Sequence, residues 1–150
     1  MRLFTLTFSL AMLAFSPASQ SGAFTASDLV RLDRVGAPAL SRDGDKVAFT
    51  LRKTDMAANK GRVDLWLTST AESIPRQLTS HEANDTQPAW SAGGEQLYFI
   101  SARGETSQLW RIAIGGGEAV AASALPLSIT SFRLLPDGSG AVVSLQVYPD

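Results

Sequence analysis

Apolar and polar positions alternate along most of this chain in short runs, and glycine-bearing turns separate the runs. Residues 38–51 read PALSRDGDKVAFTL, where Val47, Phe49 and Leu51 alternate with Ala48 and Thr50. Residues 88–101 read PAWSAGGEQLYFIS, keeping the Pro, Ala, Ser, Gly and Phe of the first stretch at the same offsets. A weaker third copy, FRLLPDGSGAVVSL, occupies residues 132–145. A period of two predicts strands. Asp and Gly between the runs predict tight turns, because Asp bonds its own backbone and Gly accepts the positive φ that closes the turn.

The stretches between the copies match as well. VDLWLTS (63–69) and SQLWRIA (107–113) each place Leu-Trp in a short alternating strand, and IPRQLTS (74–80) and GGGEAVAAS (115–123) each read as a turn and a further strand. One period is therefore strand, Asp-Gly turn, strand, variable loop, Leu-Trp strand, turn, strand. Four short antiparallel strands in 40–50 residues is the repeat of a β-propeller blade. The expected fold is all-β: an incomplete propeller of about two blades plus the start of a third, with repeats starting near 38, 88 and 132. Residues 24–37 form a lead-in segment, in which Ser27 is placed to cap one helical turn. A closed propeller needs at least ~160 residues, and 127 follow residue 23. The expectation is a truncated propeller, the front end of a longer protein.

Residues 1–23 read differently. Arg2, an apolar run from Leu3 to Phe15 and then small residues have the layout of a secretory signal peptide. The run is shorter than the roughly twenty residues that cross a bilayer. Small residues permit cleavage after Ala18 or after Ala23. The mature protein is expected in the periplasm or secreted, without a membrane anchor. The chain has no cysteine, which removes disulfides and thiolate chemistry. Its net charge is −1, and its basic residues are interleaved with acidic ones. That offers no field for nucleic acid.

The opening FTASDLVRLDRVGAPALSRDGDKVAFTLR (24–52) resembles the start of mature bacterial serine peptidases of the prolyl oligopeptidase family, the dipeptidyl aminopeptidase and acylaminoacyl peptidase type. The elements that match are Phe24-Thr25, Asp28-Leu29, Pro38, Ser41, Asp43-Gly44 and Val47-Ala48-Phe49. PAWSAGGEQLYFIS, SQLWRI, GGGEAV and PRQLTS follow the family's blade order, so the resemblance covers nearly all of residues 24–150. Arg42 stands where the family's repeat has Pro, and Ala92-Gly93 replaces Pro-Asp. The resemblance implies a propeller that gates peptides into a C-terminal α/β-hydrolase domain carrying Ser, Asp and His, with the Ser on a Gly-x-Ser-x-Gly elbow. The chain contains no such elbow, so alone it lacks the triad and is expected to be inactive. The alternative is a non-catalytic periplasmic propeller that binds proteins, of the Tol–Pal propeller type, which shares the Asp-Gly phrase. A metal-bearing lactonase propeller is not favoured, because its clustered ligands are missing from the sequence.

No catalytic, cofactor-binding or metal-ligating residue is assigned. His81 is the single histidine and reads as a solvated loop residue; Glu82 and Asp85 beside it lack the partners of a metal site. Gly115-Gly116-Gly117 precedes a strand pattern and reads as a hairpin turn, not a phosphate cradle. Asn84-Asp85-Thr86 is a formal glycosylation acceptor. Trp66, Trp90 and Trp110 hold fixed places in the repeats, which points to packing between blades. Asp28, Arg31, Asp33 and Arg34 read as a solvated face.

Overall fold

The computed structural model describes residues 23–72 and 74–147. The leader expected over residues 1–23 lies, apart from Ala23, outside them. A short helix, α1 (Ala26–Arg31), leads into the strands β1 (Arg34–Leu40), β2 (Lys46–Asp55), β3 (Lys60–Ser69) and β4 (Arg76–Gln77). Next come β5 (Asp85–Trp90), β6 (Gln96–Ser101), β7 (Gln108–Ala113) and β8 (Val120–Ala121), then β9 (Ile129–Leu134) and β10 (Ala141–Leu145). Strands β1 to β4 form one four-stranded antiparallel sheet and β5 to β8 a second, while β9 and β10 pair as a hairpin. Two blades and the first half of a third are thus present among the described residues.

The helix cap departs from expectation. Thr25, not Ser27, caps α1: its Oγ1 accepts from the Asp28 amide at 3.2 Å, and the Asp28 carboxylate accepts from the Thr25 amide at 2.9 Å. A capping box needs a polar acceptor three residues on; Thr25 has Asp28, whereas Ser27 has Val30. The segment expected as a lead-in to residue 37 already ends in strand, since β1 starts at Arg34.

The three glycine turns share one backbone bond. Gly44, Gly94 and Gly138 sit at φ of 80°, 74° and 75°, and their amides donate to the carbonyls of Ser41, Ser91 and Leu135, each at 3.0 Å. Such a φ costs glycine little and L-residues more. In each inner strand before its turn the register slips by one residue, at Gly36/Ala39, Thr86/Ala89 and opposite Ser144/Leu145. The first two slips put Ala37 (φ 44°) and Gln87 (φ 55°), each just before a proline, in the left-handed region. These bulges twist β1 and β5 so that the inner strands of neighbouring blades meet. The Trp90 indole donates to the Ala39 carbonyl at 2.8 Å, and the Gln87 amide donates to the Thr130 carbonyl at 3.0 Å.

Two apolar clusters cement the blades. Ala48, Leu65 and Leu67 of the first blade pack with Leu97, Phe99 and Ile112 of the second. Ile100 and Leu109, on the second blade's other face, pack with Ile129 of β9. The tryptophans are half-buried, and Trp90 and Trp110 pack against the first cluster. In β2 the buried residues are Ala48 and Thr50, while Val47, Phe49 and Leu51 are half-buried. The alternation predicted the strand but not its more buried face. Ala48 packs with the second blade, whereas Phe49, half-buried opposite Trp66, lies on the other face of the sheet.

Candidate functional site

Successive strands alternate in direction, so the ends of the blades form two rims. One rim carries the glycine turns near 41–45, 91–95 and 135–140. The other carries α1, the β2–β3 connection, loop 78–84 between the blades, and loop 102–107. The charged residues that bond in the interior gather at this second rim.

Its centre is an ion pair. Asp85 opens β5 and is fully buried, and its Oδ2 accepts from the Arg103 guanidinium at 2.7 Å. Arg103 lies with its guanidinium 5.4 Å from the Phe99 ring centre and 5.1 Å from that of Trp110, and its Nε bonds the Ser101 hydroxyl. A planar, weakly hydrated guanidinium suits this setting between aromatic rings and a carboxylate. Sequence reasoning left Asp85 in a solvated loop and passed over Arg103. The signal that could have found them is register: Asp85 opens the second repeat's inner strand, and Arg103 follows its second strand by two residues.

Next to this pair, Asp64 on β3 is 5% exposed. Gln77 on β4 donates to its Oδ2 at 3.2 Å and also to the Thr79 carbonyl at 2.9 Å. Burial raises the Asp64 pKa, and the negative charge of Asp85 adds to it; Arg62, Lys53 and Arg103 pull the other way. The second carboxylate oxygens of Asp64 and Asp85 have no hydrogen-bond partner.

In the first blade the second and third strands run on past the blade body. Pairs Arg52↔Val63, Lys53↔Arg62, Thr54↔Gly61 and Asp55↔Lys60 continue the ladder, where the second blade stops at Ser101↔Gln108. A variable loop was expected between residues 51 and 63; part of it is ladder. Arg52 folds across Gly61 on one face. On the other face Lys53, Asp55, Lys60, Arg62, Asp64 and Gln77 line a cavity of about 310 Å³.

The remaining sequence candidates fall outside this centre or at its margin. His81 is exposed; its Nδ1 accepts from the Ala83 amide at 3.0 Å, and it lines a cavity of about 230 Å³ with Thr79, Arg103 and Glu118. Glu82 is exposed. Asn84 is structural: its Oδ1 accepts from the Val63 amide at 3.0 Å and ties the loop to the β3 ladder. Gly116 closes a turn onto the Ala113 carbonyl at 2.9 Å, and with Gly117 takes positive φ, as a hairpin turn requires. Asp28, Arg31, Asp33 and Arg34 are exposed. Among the described residues no group of three or more His, Cys, Asp or Glu is placed to hold a metal ion. No described helix is long and apolar enough to cross a membrane. A cavity of about 620 Å³ lies between the second blade and the β9–β10 hairpin, lined in part by Tyr98, Leu109, Leu125, Leu134 and Val143.

Comparison with known proteins agrees with this architecture. The family model of the TolB beta propeller domain matches residues 30–147. The chain is 29% identical over 126 residues to the uncharacterized peptidase YuxL of Bacillus subtilis, covering 82% of this chain and 19% of that protein. It is 35% identical over 78 residues to dipeptidyl-peptidase 5 of Porphyromonas gingivalis, covering 52% of this chain and 11% of that one. The chain thus spans less than a fifth of the length of these relatives. Among solved structures, TolB from Acinetobacter baumannii superimposes with a TM-score of 0.61 at 22% identity, over 72% of this chain and 26% of that one. The β-propeller domain of the Trilobed protease from Pyrococcus furiosus gives 0.61 at 19% identity, over 75% and 34%. Those two likenesses speak to the fold. The chain belongs to the TolB beta propeller domain family; in sequence it is similar to proteins named as peptidases, and in fold to TolB and to a protease's propeller domain.

Proposed function

We propose that this chain is the substrate-gating propeller portion of an exported serine peptidase that hydrolyses peptides. The observation that carries the reading is the likeness to a peptidase over 82% of the chain, which runs through the blades and not merely one motif. The resemblance of residues 24–52 to the opening of prolyl oligopeptidase family enzymes supports it. On this reading the nucleophile, base and oxyanion hole belong to an α/β-hydrolase domain of the same polypeptide, and the blades admit peptides while excluding folded protein. Residues 1–23 direct export to the periplasm or medium, with cleavage after Ala18 or Ala23. On this reading the 150 residues alone have no peptidase activity: the sequence has no Gly-x-Ser-x-Gly elbow, and its single histidine, His81, is an exposed loop residue whose Nδ1 accepts from the Ala83 amide.

The test uses the native polypeptide that contains residues 24–150. Short peptide amides are expected to be turned over, intact folded protein to be spared, and a fluorophosphonate to abolish turnover. Absence of any fluorophosphonate-sensitive turnover overturns the reading.

A second reading has its own support in the family match and the fold of TolB. In it the propeller is a non-catalytic periplasmic module that binds proteins. It predicts a native species that the fluorophosphonate does not label and that co-purifies with a protein partner.

A further inference from the structure

Each blade of four antiparallel strands returns the chain to the rim at which it entered. Arg34, Asp85 and Ile129 begin the three repeats, and all three lie at the rim that carries α1 and loop 78–84. A domain that follows any whole number of such blades therefore starts at this rim. In the peptidase reading that domain is the α/β-hydrolase.

One element projects from the rim. In the second blade the ladder between the second and third strands stops at Ser101↔Gln108, whose counterpart in the first blade is Leu51↔Asp64. The first blade adds four pairs, from Arg52↔Val63 to Asp55↔Lys60, a ribbon about 13 Å long at the rise of an antiparallel strand. A further blade would pack on a face of the first sheet. The ribbon leaves that sheet along the strand axis, so its projection does not depend on such a neighbour.

Beyond Arg52 the ribbon has no third strand. β1 pairs with β2 only as far as Arg34↔Arg52, and β4 pairs with β3 only at Trp66 and Leu67. A two-stranded hairpin alone is marginal in water, yet this one ends in a bonded turn. The Asp55 Oδ1 accepts from the Ala57 and Ala58 amides at 2.9 and 3.0 Å, and Asn59 takes a φ of 47°. The tip is apolar: Met56 is 49% exposed, and Ala57 and Ala58 are exposed beside it. A pliable thioether held at the end of a fixed ribbon suits contact with an irregular apolar surface.

We propose that the β2–β3 ribbon is a contact element between the propeller and the hydrolase domain of the same polypeptide, with Met56 seated on an apolar part of that domain. The inference rests on the peptidase reading and adds to it which part of the propeller the catalytic domain touches.

The test uses the native polypeptide with the photoreactive p-benzoylphenylalanine at position 56 and, separately, at position 42, where Arg42 is exposed on the opposite rim. Irradiation is expected to join position 56, within one polypeptide, to a peptide of the fluorophosphonate-labelled domain, and position 42 to none of that domain. Met56→Asp should speed protease cleavage of the connection between the domains by about tenfold, the scale set by exposing one buried Met side chain. Met56→Leu should leave it unchanged. Met56 belongs to neither apolar cluster of the blades, so its replacement leaves them intact. A link from position 56 only to blade residues or to a second copy, or no link at all, overturns the proposal, as does cleavage unaltered by Met56→Asp. Fluorophosphonate labelling keeps the two failures apart. A labelled polypeptide without the link overturns this inference and leaves the peptidase reading standing, whereas an unlabelled one overturns both.

Discussion

The Trp90 indole nitrogen donates to the Ala39 carbonyl at 2.8 Å, and so a side chain of the second blade bonds the backbone of the first. Ala39 lies just past the bulge at Ala37, which turns the inner strand toward its neighbour. Replacing Trp90 with Phe keeps most of the apolar contact and removes the donor. A loss of about 1 kcal/mol in urea-unfolding free energy is expected, with faster exchange of amides along β1. A variant as stable as the parent would mean that this bond does not join the blades.

The Asp85–Arg103 pair predicts a larger effect. Arg103→Met leaves a fully buried carboxylate without its cation, a change that costs about 3–5 kcal/mol. Asp85→Asn/Arg103→Met, which removes both charges, should recover much of that loss. Equal destabilisation of the single and double variants would show that the pair's charges are not what the site requires.

Phe99 sits between the blades with no exposed surface. Phe99→Ala should cost about 3–5 kcal/mol through lost contact and cavity formation, read as a fall in the urea midpoint. Little or no fall would contradict the packing of the first blade on the second.

The carboxylates give pH dependences of opposite sign. Asp64 is raised from its ordinary 3.8, first by burial and then by Asp85. The folded chain holds that proton to higher pH than the unfolded chain, so this residue's contribution to stability falls as pH rises above 3.8. Asp64→Asn should flatten that fall in urea midpoints measured across the acid range. Asp43 and Asp137 are lowered, by the Ser41 hydroxyl and the Ser139 amide respectively. Their contribution is present above 3.8 and is lost as pH drops through their folded pKa values. Asp43→Asn should reduce the acid sensitivity that Asp64→Asn leaves in place.

What could be read from the sequence was local. The turns at Gly44, Gly94 and Gly138 are set by residues within a few positions of one another, and the alternation of β2, β6 and β7 is a property of single strands. The buried face of β2 was not legible, because Ala48 rather than Phe49 is decided by which side the next blade occupies. The ion pair joins residues 18 apart at the two ends of the β5–β6 hairpin, and Asp85 directly follows a loop that reads as polar and solvated. Asp85 looks like its neighbours Glu82 and Asn84 until the fold closes over it. The bulges at Ala37 and Gln87 had only the following prolines as a trace, and proline alone does not predict a left-handed residue before it. The cavity at Lys53 and Arg62 depends on the β2–β3 ladder running past the blade, where the sequence predicts only a variable loop.

The most direct test of the gating account is the size and reactivity of the native species. Cell envelope and medium would be treated with a fluorophosphonate probe, and the labelled bands searched for peptides from residues 24–150. The account predicts one labelled polypeptide of roughly 60–80 kDa, the sum of a propeller and an α/β-hydrolase domain, containing those peptides. If the peptides are found only in a species that the probe does not label, the peptidase account is contradicted and the protein-binding propeller takes its place.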